Sequence, residues 1–124
     1  MGISPHVTIA RDLFKELITQ LVENSARFRN REQPLQIHIT AQGMEGVNRA
    51  RFRVIDNGLG IAPEYRQQVF DLFKRLVPGS EPGSGMGLAL VRRIIHACDG
   101  EVSIEDGFDG GIAVLFDLPI RRTP

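Results

Sequence analysis

Gly83-Ser84-Gly85-Met86-Gly87-Leu88-Ala89 runs into a segment with apolar residues at 88, 91, 94, 95 and 98, the spacing of one face of an α-helix. Glycines at 83, 85 and 87 predict a loop of bare backbone amides with no β-carbon to obstruct a ligand. A helix opening from such a loop presents unpaired N–H groups and the positive end of its dipole, which suits phosphate. From this stretch alone, a loop that merely turns the chain stays open as the alternative. Two other glycine fingerprints are excluded. A dinucleotide-type G-x-G-x-x-G needs glycine at 88, where Leu88 stands, and a P-loop needs Gly-Lys-Ser/Thr, whereas no lysine follows a glycine here.

Upstream, Met1 to Thr8 offers a short strand or a loose lead-in, since Pro5 breaks any helix. Asp12 to Arg29 reads as a helix with Leu13, Leu17, Leu21 and Phe28 near one face, widened by Phe14, Ile18 and Val22. A second, polar stripe on the same helix carries Glu16, Gln20, Asn24 and Arg27; spacing alone favours a solvated face, against which stands an Asn inside a helix, where it is disfavoured. Leu35, Ile37, Ile39 and Ala41 alternate with polar residues as a half-buried strand, and Ala50, Phe52 and Val54 alternate with Arg51 and Arg53 as a second strand ending at Asp56. Asn57-Gly58-Leu59-Gly60-Ile61 is a glycine-punctuated turn, and Pro63-Glu64 opens a short helix to about Phe73. Lys74 to Ser84 has no periodicity and reads as a mobile loop. Glu101 to Glu105 and Ile112 to Leu118 read as strands joined through Asp106-Gly107 and Gly110-Gly111.

This order of elements predicts an α+β fold, a two-layer sandwich with a mixed, mostly antiparallel sheet and helices on one face. The 124 residues form one domain. Fifteen basic and fifteen acidic residues cancel, so no global field draws the chain to nucleic acid or membrane. The single cysteine, Cys98, excludes an internal disulfide and a cysteine-built zinc site, and it is expected to pack as a small hydrophobe. No apolar run spans a bilayer and no secretory signal is present, which makes the cytoplasm the expected compartment.

Four separated segments fall into one order: Leu21-Val-Glu-Asn24-Ser-Ala-Arg27-Phe28, Asp56-x-Gly58-x-Gly60-Ile61, Phe70-x-x-Phe73-x-Arg75, and Gly83-x-Gly85-x-Gly87-Leu-Ala. This order resembles the N, G1, F and G2 boxes of the ATP-binding catalytic domain of sensor histidine kinases, in the GHKL superfamily with its Bergerat fold. The similarity extends from about Asp12 to the closing Leu118-Pro119. Phe28-Arg29 and the short lid resemble the phytochrome-like kinases in particular.

The resemblance implies a site for ATP and Mg²⁺. Asp56 would accept a hydrogen bond from the adenine amino group, a donor matched by an acceptor-only carboxylate. Gly58, Gly60 and Ile61 would lie against the base and sugar. Asn24 would bind Mg²⁺ through its amide oxygen, with Gln20 adding a direct or water-mediated contact. Arg27, where the family usually has lysine, and Arg75 would carry charge to the phosphates. Gly83, Ser84, Gly85, Met86, Gly87 and Leu88 would wrap the phosphates, while Phe70 and Phe73 would anchor the lid. The polar stripe then becomes a site rather than a solvated face.

Related ATPases of the superfamily carry a glutamate at position 20, and Gln20 has no useful basicity, so the resemblance implies transfer with little hydrolysis. Glu16 and Glu23 remain as bases for a hydrolytic alternative. Three departures stand out. Met86 replaces the usual leucine, Ala113 stands where many relatives have a threonine or serine near the adenine carboxylate, and Cys98-Asp99-Gly100 replaces His-Gly-Gly. His6, His38 and His96 are not in the helical context of a phosphoacceptor. The expected partner is therefore a phosphoacceptor histidine on a separate helical hairpin, in a longer chain or in trans, with a response regulator acting indirectly. The domain itself is expected to be a monomer. Two alternatives remain open: an anti-sigma-factor-type serine kinase, and a non-catalytic ATP-sensing or docking module.

Overall fold

A computed structural model describes residues 4–7, 9–71 and 84–123. In chain order the elements are β1 (Ser4–Val7), α1 (Arg11–Arg27), β2 (Ile37–Gly43), β3 (Arg49–Asp56), α2 (Ser84–Ala97), β4 (Val102–Asp106) and β5 (Ile112–Thr123), with single 3₁₀ turns at Pro63–Tyr65, Gln68–Phe70 and Phe108–Gly110.

β5 is the axis of the sheet. β3 pairs with it over 113–119, β4 over 112–116 and β1 over 120–123, and β2 extends the sheet beyond β3. Every strand pairing among the described residues is antiparallel. Strand alternation sends Ala50, Phe52 and Val54 of β3 and Val114, Phe116 and Leu118 of β5 to one face. There they join Leu17 and Leu21 of α1 and Leu88, Val91, Ile94 and Ile95 of α2 in one core. Phe52 stacks on Phe116 with ring centroids 5.3 Å apart, and Phe14 meets Phe52 edge-on. This is the expected two-layer α+β sandwich.

Local details differ from the periodicity. The buried positions of α1 are Leu17, Leu21 and Ser25, at i, i+4 and i+8. Leu13 and Phe28 are instead 47% and 37% exposed, because the core ends before either end of the helix. β2 is exposed over most of its length, and Ile39 is 49% exposed. It is an edge strand of the sheet, and only its first residue, Ile37, packs against the core. The expected helix from Pro63 forms as two 3₁₀ turns, closed by bonds such as Arg66 N–H to Pro63 C=O and Asp71 N–H to Gln68 C=O. Phe70 is the only buried side chain in these turns, too little apolar face to support a longer helix.

The glycine segment also differs. Helix α2 begins at Ser84, so Gly85 and Gly87 lie in its first turn rather than in a preceding loop. At its other end α2 closes with Asp99 N–H bonded to His96 C=O and Gly100 N–H to Ile95 C=O, a Schellman cap. Arg49 ties this end to β5 by bonding Asp117 and the Cys98 carbonyl. Cys98 packs against the core as expected.

Candidate nucleotide-binding site

Asp56 ends β3 and is 4% exposed. Its Oδ1 accepts the Gly58 N–H at 2.9 Å and the Ile112 N–H at 3.1 Å, and its Oδ2 accepts the Ser25 hydroxyl at 2.7 Å. No basic side chain among the described residues pairs with it. A buried carboxylate held by three neutral donors is oriented without being neutralised, and its fourth acceptor site remains on Oδ2.

The turn after Asp56 is fixed by close backbone contacts. Gly60 has φ +81°, and a β-carbon there would collide with the Gly110 carbonyl. A β-carbon on Gly111 would stand 2.6 Å from both Asp56 Oδ1 and the Gly58 nitrogen. These two positions exclude side chains so that the β4–β5 connection can close on the carboxylate. Leu59 N–H bonds the Phe28 carbonyl at 2.9 Å, which joins the turn to the end of α1. Asn57, 3% exposed, accepts the Gln36 N–H on Oδ1 and donates Nδ2 to the Pro34 carbonyl. It thereby staples the 28–36 connection beneath the site.

Helix α1 runs from this carboxylate towards α2. Gln20 donates Nε2 to Glu16 Oε1 at 3.0 Å, which leaves its own Oε1 2.8 Å from where a β-carbon of Gly87 would stand. With a rise of 1.5 Å per residue, the Ser25 and Gln20 contacts lie roughly 7–8 Å apart along the helix. Asn24, half-buried, lies between them in sequence, and Arg27 is exposed in the last turn. The Asp56 carboxylate and the first turn of α2 are thus joined through one helix.

The remaining candidates fall as follows. Gly58 is buried, Ile61 is half-buried against the core, and the Leu88 side chain lies in the core, which leaves only its backbone to face a ligand. Ser84, Gly85, Met86 and Gly87 form the first turn of α2. Phe73, Arg75 and Gly83 lie outside the described residues. Phe70 is buried beneath Arg92, and the lid it was expected to anchor lies outside the described residues. His38 is exposed and edge-on to Phe108, and His96 is exposed beside Glu101.

In the strand register Ala113 pairs with Ile55, and the neighbouring Ile112 contributes its backbone N–H to the carboxylate. Two further contributors were missed. The signal for Ser25 was a hydroxyl residue inside a helix, directly after Asn24, where serine is disfavoured. Gly111 had no signal beyond membership of a turn.

With this geometry in place, comparison with known proteins is decisive for the class. Residues 9–122 match the family model of histidine kinase-, DNA gyrase B- and HSP90-like ATPases. The chain belongs to that family. It is 40% identical over 117 residues to the methanogenesis regulatory histidine kinase FilI of Methanothrix harundinacea, covering 93% of this chain and 13% of that protein. It is 35% identical over 117 residues to cyanobacterial phytochrome A of Nostoc sp., covering 94% of this chain and 15% of that protein. Among solved structures, full-length ShkA in complex with AMPPNP superposes with a TM-score of 0.78 at 26% identity, covering 97% of this chain and 24% of that chain. The catalytic domain of the histidine kinase ThkA gives a TM-score of 0.74 at 25% identity, covering 91% of this chain and 70% of that one. The chain therefore spans 13% and 15% of the lengths of the two named sequence relatives.

Proposed function

We propose that this chain is the catalytic domain of a protein histidine kinase. In this reading it binds ATP with Mg²⁺ and donates the γ-phosphoryl group to a histidine on a separate helical hairpin domain, upstream of a response regulator. The observation that carries the reading is the Asp56 carboxylate, buried, unpaired with any cation among the described residues, and held by three donors with one acceptor site left over. An adenine amino group supplies the matching donor.

Asn24 and Gln20 offer neutral amide oxygens, a donor set that suits a hard cation retaining most of its waters. Among the described residues no group of three or more His, Cys, Asp or Glu side chains could hold a metal, so the metal would come with the nucleotide. Mg²⁺, when bound, neutralises phosphate charge. The first-turn amides of α2 would cradle the phosphates, with Arg27 and Arg75 adding positive charge. Phosphoryl transfer demands mainly positioning and charge neutralisation from the protein, which these groups would provide without a general base at position 20.

The test is to mix the chain with a matching phosphoacceptor hairpin and γ-labelled ATP. Acid-labile label on the hairpin histidine is the expected result. Tight ATP binding with no transfer would reduce the domain to a nucleotide sensor, and acid-stable phosphoserine on a partner would replace histidine as the acceptor.

A further inference from the structure

Of the polar side chains on α1, only Ser25 is buried, and its hydroxyl reaches 31 residues along the chain to Asp56 Oδ2 at 2.7 Å. A carboxylate accepts only, so the serine proton is committed to this bond. Toward anything else Ser25 Oγ then offers lone pairs alone. Oδ1 already holds the Gly58 and Ile112 N–H groups at 2.9 and 3.1 Å. The bond from Ser25 pins Oδ2, the oxygen with an acceptor site to spare, on the side of the carboxylate nearest the last turn of α1.

We infer that Ser25 is a specificity-determining positioning residue. It fixes the rotation of the Asp56 carboxylate so that the remaining lone pair on Oδ2, with a second acceptor on Oγ beside it, selects purines bearing a 6-amino donor over 6-oxo purines. A 6-oxo group would bring a third acceptor against these two without a proton to share. The inference rests on the ATP-binding reading above and deepens it. A purely structural serine, one that only satisfies a buried carboxylate, would affect every nucleotide equally.

That difference is measurable. Isothermal titration of the 124-residue chain in Mg²⁺ would compare ATP, purine riboside triphosphate, which has no 6-substituent, and inosine triphosphate, which is 6-oxo. Ser25→Ala is expected to weaken ATP about fivefold, the effect of one hydrogen bond. It should leave purine riboside triphosphate within about twofold and narrow the preference for ATP over inosine triphosphate by a factor similar to the ATP loss. Equal losses on all three nucleotides, or no loss on ATP, overturn the inference. If the alanine variant does not fold, Ser25→Cys, close in shape and a weaker donor, is put through the same comparison and must show the same selective loss. A wild-type chain that binds no ATP removes the underlying reading as well; a wild-type chain that binds ATP beside an indifferent Ser25 variant removes only this inference.

Discussion

Asp56 concentrates the residue-scale chemistry. Its three bonds come from an α1 side chain, from its own turn and from the start of β5, so parts distant in sequence must be in place before the carboxylate is satisfied. Asp56→Asn exchanges an acceptor-only group for an amide. Its NH₂ must then face either the base amino group or one of the resident donors. A hydrogen bond to a charged group contributes about 1.5–3 kcal/mol, so this variant is expected to lose roughly 10- to 100-fold in ATP affinity by titration. Retention of wild-type affinity would mean that Asp56 does not read the base. Asp56 was singled out through the resemblance of Asp56-x-Gly58-x-Gly60 to one of the family's boxes, because an aspartate before a glycine is by itself also a turn former. Its partners were less legible. The Ile112 contact is made by a backbone N–H, which side-chain identity does not reveal, and the Ser25 bond spans a sequence gap that no local pattern records.

Among the elements, α2 shows how a helix end trades local strain for closure. Asp99 occupies the C′ position of the cap with φ +59°, a conformation that costs a residue with a β-carbon and that glycine adopts freely. Asp99→Gly is therefore expected to stabilise the domain by about 0.5–1 kcal/mol, seen as a higher midpoint in thermal or urea unfolding. An unchanged or lower midpoint would show that the Asp99 side chain contributes something the cap geometry does not reveal. The helices and strands themselves were readable from periods of 3.6 and 2, since most of them bury one face. Where burial fails, the period misleads. β2 alternates like a half-buried strand yet lies at the sheet's margin, with only Ile37 against the core. The Pro63–Phe70 segment has too few buried contacts to hold a full helix. The glycines of 83–87 suggested a loop because glycine disfavours helix interiors, but first-turn positions carry less of that cost, and α2 begins at Ser84.

On the scale of the whole molecule, nucleotide binding and folding are coupled, because the proposed site is built from α1, the end of β3 and the start of α2 around one core. A ligand that binds only the assembled state at 100 times its Kd adds about 2.7 kcal/mol, on the order of 10 °C in Tm for a domain of this size. Mg-ATP is expected to raise the midpoint by that amount. Mg²⁺ alone is expected to leave it unchanged, since the two side chains proposed to hold it, Asn24 and Gln20, are neutral amides that need the nucleotide's phosphates beside them. A shift with Mg²⁺ alone would point to a metal site of different composition. No helix among the described residues is long and apolar enough to cross a membrane.

The central claim is that the separated boxes make one site, with a base-reading carboxylate at one end and the amides of α2 at the other. A crystal structure of the chain with a non-hydrolysable ATP analogue and Mg²⁺ tests it most directly. The account predicts the adenine amino group within hydrogen-bond distance of Asp56 Oδ2, and the phosphates between Asn24 and the first turn of α2. A purine seated away from Asp56, or phosphates on a surface that Asn24 does not share, would contradict it.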